Sequence, residues 1–186
     1  YASPRALGQQ DYDVIIRNAR ILDGSGNPWF IADVGIWGDR ILAIDDLSGA
    51  SAPVVLEATG LYVAPGFIDV HSHAAGGLAA PDRSDARTLI TQGLTTIVAN
   101  PDGRSPDIQE QRYALVEHGL GVNVAQMVGH GSTRGAVVGM EDRQATPAEL
   151  DRMRDIVRAG MDAGAFGLSS GLFYAPSSYA ELSEVI

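Results

Sequence analysis

Three times in its second half the sequence runs through one order: a helix-like stretch, a glycine, a strand-like apolar run and a polar loop. "SDARTLITQG" leads into "LTTIVAN", a segment from Ser105-Pro106 to near Gly119 leads into "VNVAQMVGH", and "TPAELDRMRDIVRAGMDAG" leads into "AFGLSSGLFY". Helices alternating with short apolar strands imply parallel βαβ units, because parallel neighbours need a crossover and the crossover helices cover the sheet. The right-handed crossover rule places every helix outside the sheet. With the apolar run that ends at His73, four parallel strands are expected, which is half of an eight-stranded barrel or most of an open sheet. In either architecture ligands bind at the carboxyl ends of the strands. His73, Asn100 to Asp102, His130 and Ser169 to Tyr174 all fall at such ends.

The helix boundaries carry their own signals. Ser84 is expected to cap the first helix, with Ala86, Leu89 and Ile90 on its apolar side and Gly93 as its stop. Thr146-Pro147-Ala148-Glu149 has the spacing of a capping box with proline at the first helical position, and Leu150, Met153, Ile156, Val157 and Met161 then recur at helical spacing. At the end of the chain Ser178 is placed to cap a short helix carrying Leu182, Val185 and Ile186, and the stop there reads as a cut in a longer protein.

Upstream the grammar differs. Residues 12–63 alternate like half-buried strands, with the turn-rich "DGSGNPWF" and a hairpin turn at Gly38-Asp39, and are expected to form a small antiparallel β domain. Residues 1–11, "YASPRALGQQD", read as a flexible lead: the start of a processed secreted chain, an added remnant or a plain end.

Composition narrows the partners. A formal charge of −10, with thirteen scattered basic residues, argues against nucleic acid and against an anionic membrane surface. No apolar run approaches the ~18 residues of a membrane span, so a soluble chain is expected, in the cytoplasm or as a processed periplasmic or secreted protein. Without cysteine there is no disulfide and no thiol nucleophile, and a metal would have to be held by nitrogen and oxygen.

Two of the four histidines stand one residue apart in "GFIDVHSH". Strand side chains alternate, so Asp69, His71 and His73 share a face. His71 and His73 can converge on one cation, with Asp69 bracing a ring as an outer acceptor; alternatively they are two polar residues of a surface loop. His118, in the last turn of a helix, reads as a surface residue favoured by the helix dipole.

The same residues carry a resemblance. "LYVAPGFIDVHSH" is similar to the signature of the amidohydrolase superfamily, and "QGLTTIVANPDGRSP", "MVGHGSTRGAVVGMEDRQATPAEL" and "GAFGLSSGLFYAPSSYA" resemble its N-acyl-D-amino-acid deacylase (D-aminoacylase) branch. The likeness runs from Asp13 nearly to the end. It implies an α/β fold in which a small β-sandwich domain, partial within residues 12–63, precedes the first half of a (β/α)8 barrel at 64–186. The rest of the barrel would lie beyond this chain.

It further implies a zinc enzyme, with one or two divalent ions, that removes the acyl group from N-acyl-D-amino acids. His71 and His73 match the family's first metal pair. Asp102, in "NPDG", stands where typical members have a bridging cysteine; it is either a harder bridging ligand or a turn aspartate before Gly103. His130 either contacts substrate or ties down its loop, and Arg134 either pairs with a substrate carboxylate or is a solvated charge. Ser170, Gly171 and Tyr174 are expected to line the substrate pocket, with core packing as the other reading of Leu172, Phe173 and Tyr174.

No general base is expected within the chain. The resemblance puts it, and two further metal-binding histidines, beyond Ile186, so that this chain alone is not expected to be competent and the remainder must come as a continuation or a second polypeptide. Two other functions fit the same motif: a hydrolase of cyclic amides, like a dihydroorotase or hydantoinase, and a truncated binding subunit without catalysis.

Overall fold

A computed structural model describes residues 11–186; the expected flexible lead, apart from Asp11, lies outside the described residues. The chain divides into two compact units, one ending at Pro65 and the other beginning at Gly66.

The first unit is a five-stranded sheet. β1 (Val14–Ile21) pairs antiparallel with β2 (Phe30–Trp37), which pairs antiparallel with β3 (Arg40–Asp45). Trp37 lies opposite Arg40, so Gly38-Asp39 is the two-residue turn, with Gly38 at φ +59° where a side chain would be strained. β4 (Val54–Glu57) and β5 (Tyr62–Val63) also pair with β1, but parallel to it. The expectation of a purely antiparallel sheet is therefore corrected: residues 46–53 carry the chain across to the free edge of β1 before β4 begins. Alternation predicts which face a residue takes, not the direction of its neighbour.

The described residues form a single sheet here, and Ile41, Val55 and Leu56 remain exposed. Its core is Ala19, Ile21, Val34 and Ala58. A bulge between Ile16 and Ala19 frees the Asn18 N–H, which donates to the buried Asp33 carboxylate at 2.8 Å. Burial alone would raise the Asp33 pKa. The N–H groups of Asn18 and Leu47 and the Arg17 guanidinium outweigh it and hold the carboxyl below its ordinary range.

The second unit is built on four parallel strands in the order β6 (Phe67–Ser72), β7 (Leu94–Ala99), β8 (Asn123–Gly129), β9 (Gly167–Ser169). Between them run α1 (Ala75–Leu78), α2 (Arg87–Ile90), α3 (Ile108–Val116), α4 (His130–Val137) and α5 (Pro147–Asp162), and α6 (Leu182–Val185) follows β9 after a 3-10 turn at Ser177–Tyr179. Ala75, Leu78, Ile97, Ala99, Leu115 and Val122 form one core cluster, and Ile108, Val128 and Ala165 a second. On the edge strand β6, Phe67, Ile68 and Val70 are exposed.

The α5 start follows its sequence signal: the Thr146 hydroxyl accepts from the Glu149 N–H and the Glu149 carboxylate accepts from the Thr146 N–H. Elsewhere local signals are overridden. α2 is a single turn whose N-cap is Ala86 in the left-handed region, while the Ser84 hydroxyl donates to the His118 carbonyl instead of capping. The side chain that caps α3 is Asp107, two residues after Ser105, and Glu181 rather than Ser178 precedes α6. "HGSTRGAV", read as a polar loop, is α4, held by burial of His130, Gly131, Thr133 and Arg134.

Candidate metal centre

β6 ends with Ser72 buried and leaves His71 and His73 projecting at its carboxyl end. The next strand, β7, runs into a turn at Asn100–Gly103 in which Asn100, Asp102 and Gly103 have φ of +64°, +59° and +73°. Asparagine, aspartate and glycine tolerate the left-handed region better than other residues, which is why this turn is written with them. Its effect is to bring the Asp102 carboxylate under both imidazoles. His71 Nε2 and His73 Nε2 each lie 3.4 Å from Asp102 Oδ2, and the rings are 5.5 Å apart at 67°. The three ligand atoms lie within 4.8 Å of one another, the one such cluster of potential metal ligands among the described residues.

This donor set fits zinc. Ligands at ~2.0–2.2 Å in a tetrahedral shell stand roughly 3.4 Å apart, the spacing of both His–Asp pairs. The side chains are 60%, 70% and 33% exposed, so the donors are open on the side away from the fold. A cavity of about 450 Å³ opens beside them, lined by His73, Asn100, Asp102, Arg104, Gln111 and Tyr174 among others.

The turn is fastened from β9. The Ser169 hydroxyl donates to the Asn100 carbonyl at 2.6 Å and accepts the Gly103 N–H at 3.2 Å. Asn100 and Gln111 exchange two hydrogen bonds, at 2.8 and 3.0 Å, and the Asn100 amide also donates to the Met127 carbonyl. Sequence reasoning missed Gln111 and Arg104 as residues of this site, and placed Ser169 at a strand end without giving it a role. For Ser169 the available signal was a small polar residue at the last position of a buried strand.

The other expected site residues divide. Tyr174 lines the cavity and packs edge-on against Phe173. Gly171 packs against the backbone of Asp102, and Ser170 lies against Gly103. Asp69 does not brace a ring: its carboxylate accepts the backbone N–H of His71 at 3.0 Å. Two strand residues along, at ~3.3 Å per residue, a short side chain reaches the intervening N–H more readily than the next ring.

His130 and Arg134 are not brought to this cluster. β8 ends at Gly129, and His130 opens α4 instead of ending the strand. Its Nε2 meets Glu184 at 3.0 Å, and Arg134 donates to the other oxygen of Glu184 and to the Arg143 carbonyl. The Arg134 side chain is fully buried, as are nearly all of His130 and Glu184. This is a buried Arg134–Glu184 ion pair with His130 on the same carboxylate. Arg143 in turn holds Glu149 with two bonds of 2.8 Å. That guanidinium, with the N–H and hydroxyl of Thr146, pulls the Glu149 carboxyl well below the usual carboxylate range, while Glu149 and Glu141 raise the pKa of Arg143.

The amidohydrolase family model matches residues 54–184, and the chain belongs to that family. It is 38% identical to a D-aminoacylase of Alcaligenes xylosoxydans xylosoxydans over 201 residues, covering 95% of this chain and 41% of the relative. Among solved structures it is similar to a D-aminoacylase with a binuclear metal centre (33% identity, TM-score 0.86, 94% of this chain and 41% of the other). It also resembles an N-acyl-D-glutamate deacylase of Bordetella bronchiseptica, complexed with zinc and a phosphonate inhibitor (32%, TM-score 0.85, 95% and 42%). An L-hydantoinase of Arthrobacter aurescens, at 23% identity and TM-score 0.55, shares the fold alone. The chain spans about two fifths of the length of the relatives it matches. No helix among the described residues is long and apolar enough to cross a membrane.

Proposed function

We propose that this chain carries the first metal ligands of an N-acyl-D-amino-acid deacylase, a hydrolase of the amide bond between an acyl group and a D-amino acid. In this reading residues 64–186 are the first half of a (β/α)8 barrel, and the remaining ligands and the general base come from residues outside this chain. The observation that carries it is the convergence of His71, His73 and Asp102 on one point at the strand ends. The likeness to deacylases at 32–38% identity supports this reaction, whereas the cyclic-amide hydrolases are similar in fold only.

One or two divalent ions, zinc by donor chemistry, belong at this cluster. Bound there, such an ion supplies hydroxide at neutral pH and Lewis acidity toward a carbonyl. The protein's own part is to hold and aim. His71 and His73 supply neutral nitrogen donors, Asp102 supplies the carboxylate that takes the place of the family's cysteine, and Ser169 fixes the turn that presents Asp102. Tyr174 gives the adjacent cavity an apolar face and a hydroxyl.

Metal analysis and a substrate panel on the full-length protein test this. Near-stoichiometric zinc and turnover of N-acyl-D-amino acids are expected, and His71→Ala should lose both. Turnover of cyclic imides alone would overturn the substrate assignment, and a metal-free, inactive protein would favour a binding subunit.

A further inference from the structure

Three amide side chains meet beneath the turn that carries Asp102. Asn100, just past β7, and Gln126, on β8, are buried, and Gln111, on α3, lies half-buried between them. Gln111 Oε1 accepts from Asn100 Nδ2 at 2.8 Å and from Gln126 Nε2 at 2.7 Å, while Gln111 Nε2 donates to Asn100 Oδ1 at 3.0 Å. An amide has nearly the same outline when turned end for end, so two amides alone do not fix each other's orientation. Here two main-chain carbonyls fix it. Asn100 Nδ2 donates to the Met127 carbonyl at 3.0 Å and Gln126 Nε2 to the Ile108 carbonyl at 3.2 Å. A carbonyl can only accept, so both outer amides must face it with nitrogen, and Gln111 is left one orientation. Among the described residues no buried nitrogen or oxygen of these three side chains lacks a partner.

A satisfied polar network adds direction to a packed interior where apolar side chains would add only bulk. Direction matters at Asn100, which stands at φ +64°, two residues before an Asp102 that is itself left-handed at φ +59°. A backbone held in that region relaxes unless its surroundings over-determine it. The Ser169 hydroxyl holds the Asn100 carbonyl from β9 and the Met127 carbonyl holds its amide from β8. Gln111 supplies the hold from a helix. The hydrogen bonds of its side chain all go to the other two amides and none to His71, His73 or Asp102, so any influence on those donors passes through Asn100.

We propose that Gln111 is a positioning residue for the metal centre: by locking the Asn100 amide it keeps the turn left-handed, and the turn aims the Asp102 carboxylate at the point where His71 and His73 converge. The proposal rests on the reading of these three residues as metal donors. Without Gln111 the Asn100 side-chain oxygen loses its donor and the Gln126 amide loses one of its two acceptors. The turn is then free to relax toward ordinary backbone geometry, which carries the carboxylate away from both rings.

The test is a double-variant cycle on zinc affinity in the full-length protein, read by competition with a chromogenic chelator in wild type, Gln111→Met, Asp102→Asn and the two combined. Gln111→Met keeps the length of the side chain and removes its hydrogen bonds, and should weaken zinc by roughly ten- to a hundredfold, the range for residues that orient ligands. In the Asp102→Asn background, where the carboxylate is already gone, the same change should cost no more than about twofold, the scatter of independent effects. A role confined to folding would cost the same in both backgrounds. Loading with Co2+ gives a second reading, since its visible bands follow ligand and geometry, and the spectrum of Gln111→Met should shift from wild type toward that of Asp102→Asn. Gln111→Ala, which leaves room for water at the lost amide, carries the test if Gln111→Met does not fold. A wild type that binds no zinc would overturn the metal reading and this proposal with it. Zinc-binding wild type with unchanged affinity in the Gln111 variants, or with equal losses in both backgrounds, would overturn the positioning role alone.

Discussion

Gly171 lies so close to Asp102 that a β-carbon on it would stand 2.3 Å from the Asp102 carbonyl oxygen and 3.0 Å from its Cα. The contact is reciprocal, because a β-carbon on Gly103 would stand 2.9 Å from the Gly171 nitrogen. Two backbones from different strand ends thus interlock without side chains between them, and the carboxylate that meets both histidines is placed by that interlock. A residue first read as pocket lining is the seat of the carboxylate proposed here as a metal ligand.

Gly171→Ala should therefore weaken zinc binding by roughly ten- to a hundredfold, in the range of changes to residues that orient ligands. Backbone atoms cannot rotate away as a side chain can, so the turn itself must shift. Competition with a chromogenic chelator measures the affinity. Ser169→Ala, which removes the hydroxyl between Asn100 and Gly103, should act in the same direction at a smaller cost. Unchanged zinc affinity in both variants would show that Asp102 does not depend on this seat.

Asp102→Cys probes the ligand itself. A thiolate in place of the carboxylate should retain metal and raise the preference for Cd2+ over Zn2+, because softer ligands favour softer ions. Thiolate-to-metal charge-transfer absorption on Cd2+ loading reports the bond directly. The cost is about 1 kcal/mol of backbone strain, since cysteine is less at ease than aspartate at φ +59°. Absence of that absorption would place residue 102 outside the coordination shell.

What could be read from the sequence was local. The Thr146–Glu149 box and the His71–His73 pair are set by neighbours within four residues, and the parallel sheet followed from repetition of one order of elements. What escaped depended on distant partners. Arg134 and Arg104 look alike in a loop-like string, and only Glu184, fifty positions on, decides that the first is buried. α4 escaped for the same reason, as its helical state is imposed by burial against the fold and not by propensity. Ser169 acts through hydrogen bonds spanning more than sixty residues, which no periodicity records.

The buried ion pair makes Arg134 a stability residue. Arg134→Met leaves the nearly fully buried Glu184 carboxyl without its ion-pair partner and with the His130 contact, and should cost about 3–5 kcal/mol in denaturant unfolding of the full-length protein. The double variant Arg134→Met, Glu184→Gln should recover part of the loss, because the carboxyl left without its ion-pair partner is gone. A loss under 1 kcal/mol in the single variant would mean that water reaches Glu184.

Glu149 gives the fold a defined acid sensitivity. Its carboxyl is held below the ordinary carboxylate range first by Arg143, then by the N–H and hydroxyl of Thr146. A folded-state pKa below the unfolded one means that the unfolded chain takes up the proton first as pH falls. The stabilisation is thus complete above about pH 4.3, the unperturbed value, and drains away as the pH falls toward the lowered folded value. Glu149→Gln should be less stable than wild type at pH 7, with the gap narrowing steadily below pH ~4. Thermal unfolding of both proteins across that range reads the difference, and a gap that stays constant with pH would show that the charge of Glu149 contributes nothing to the start of α5.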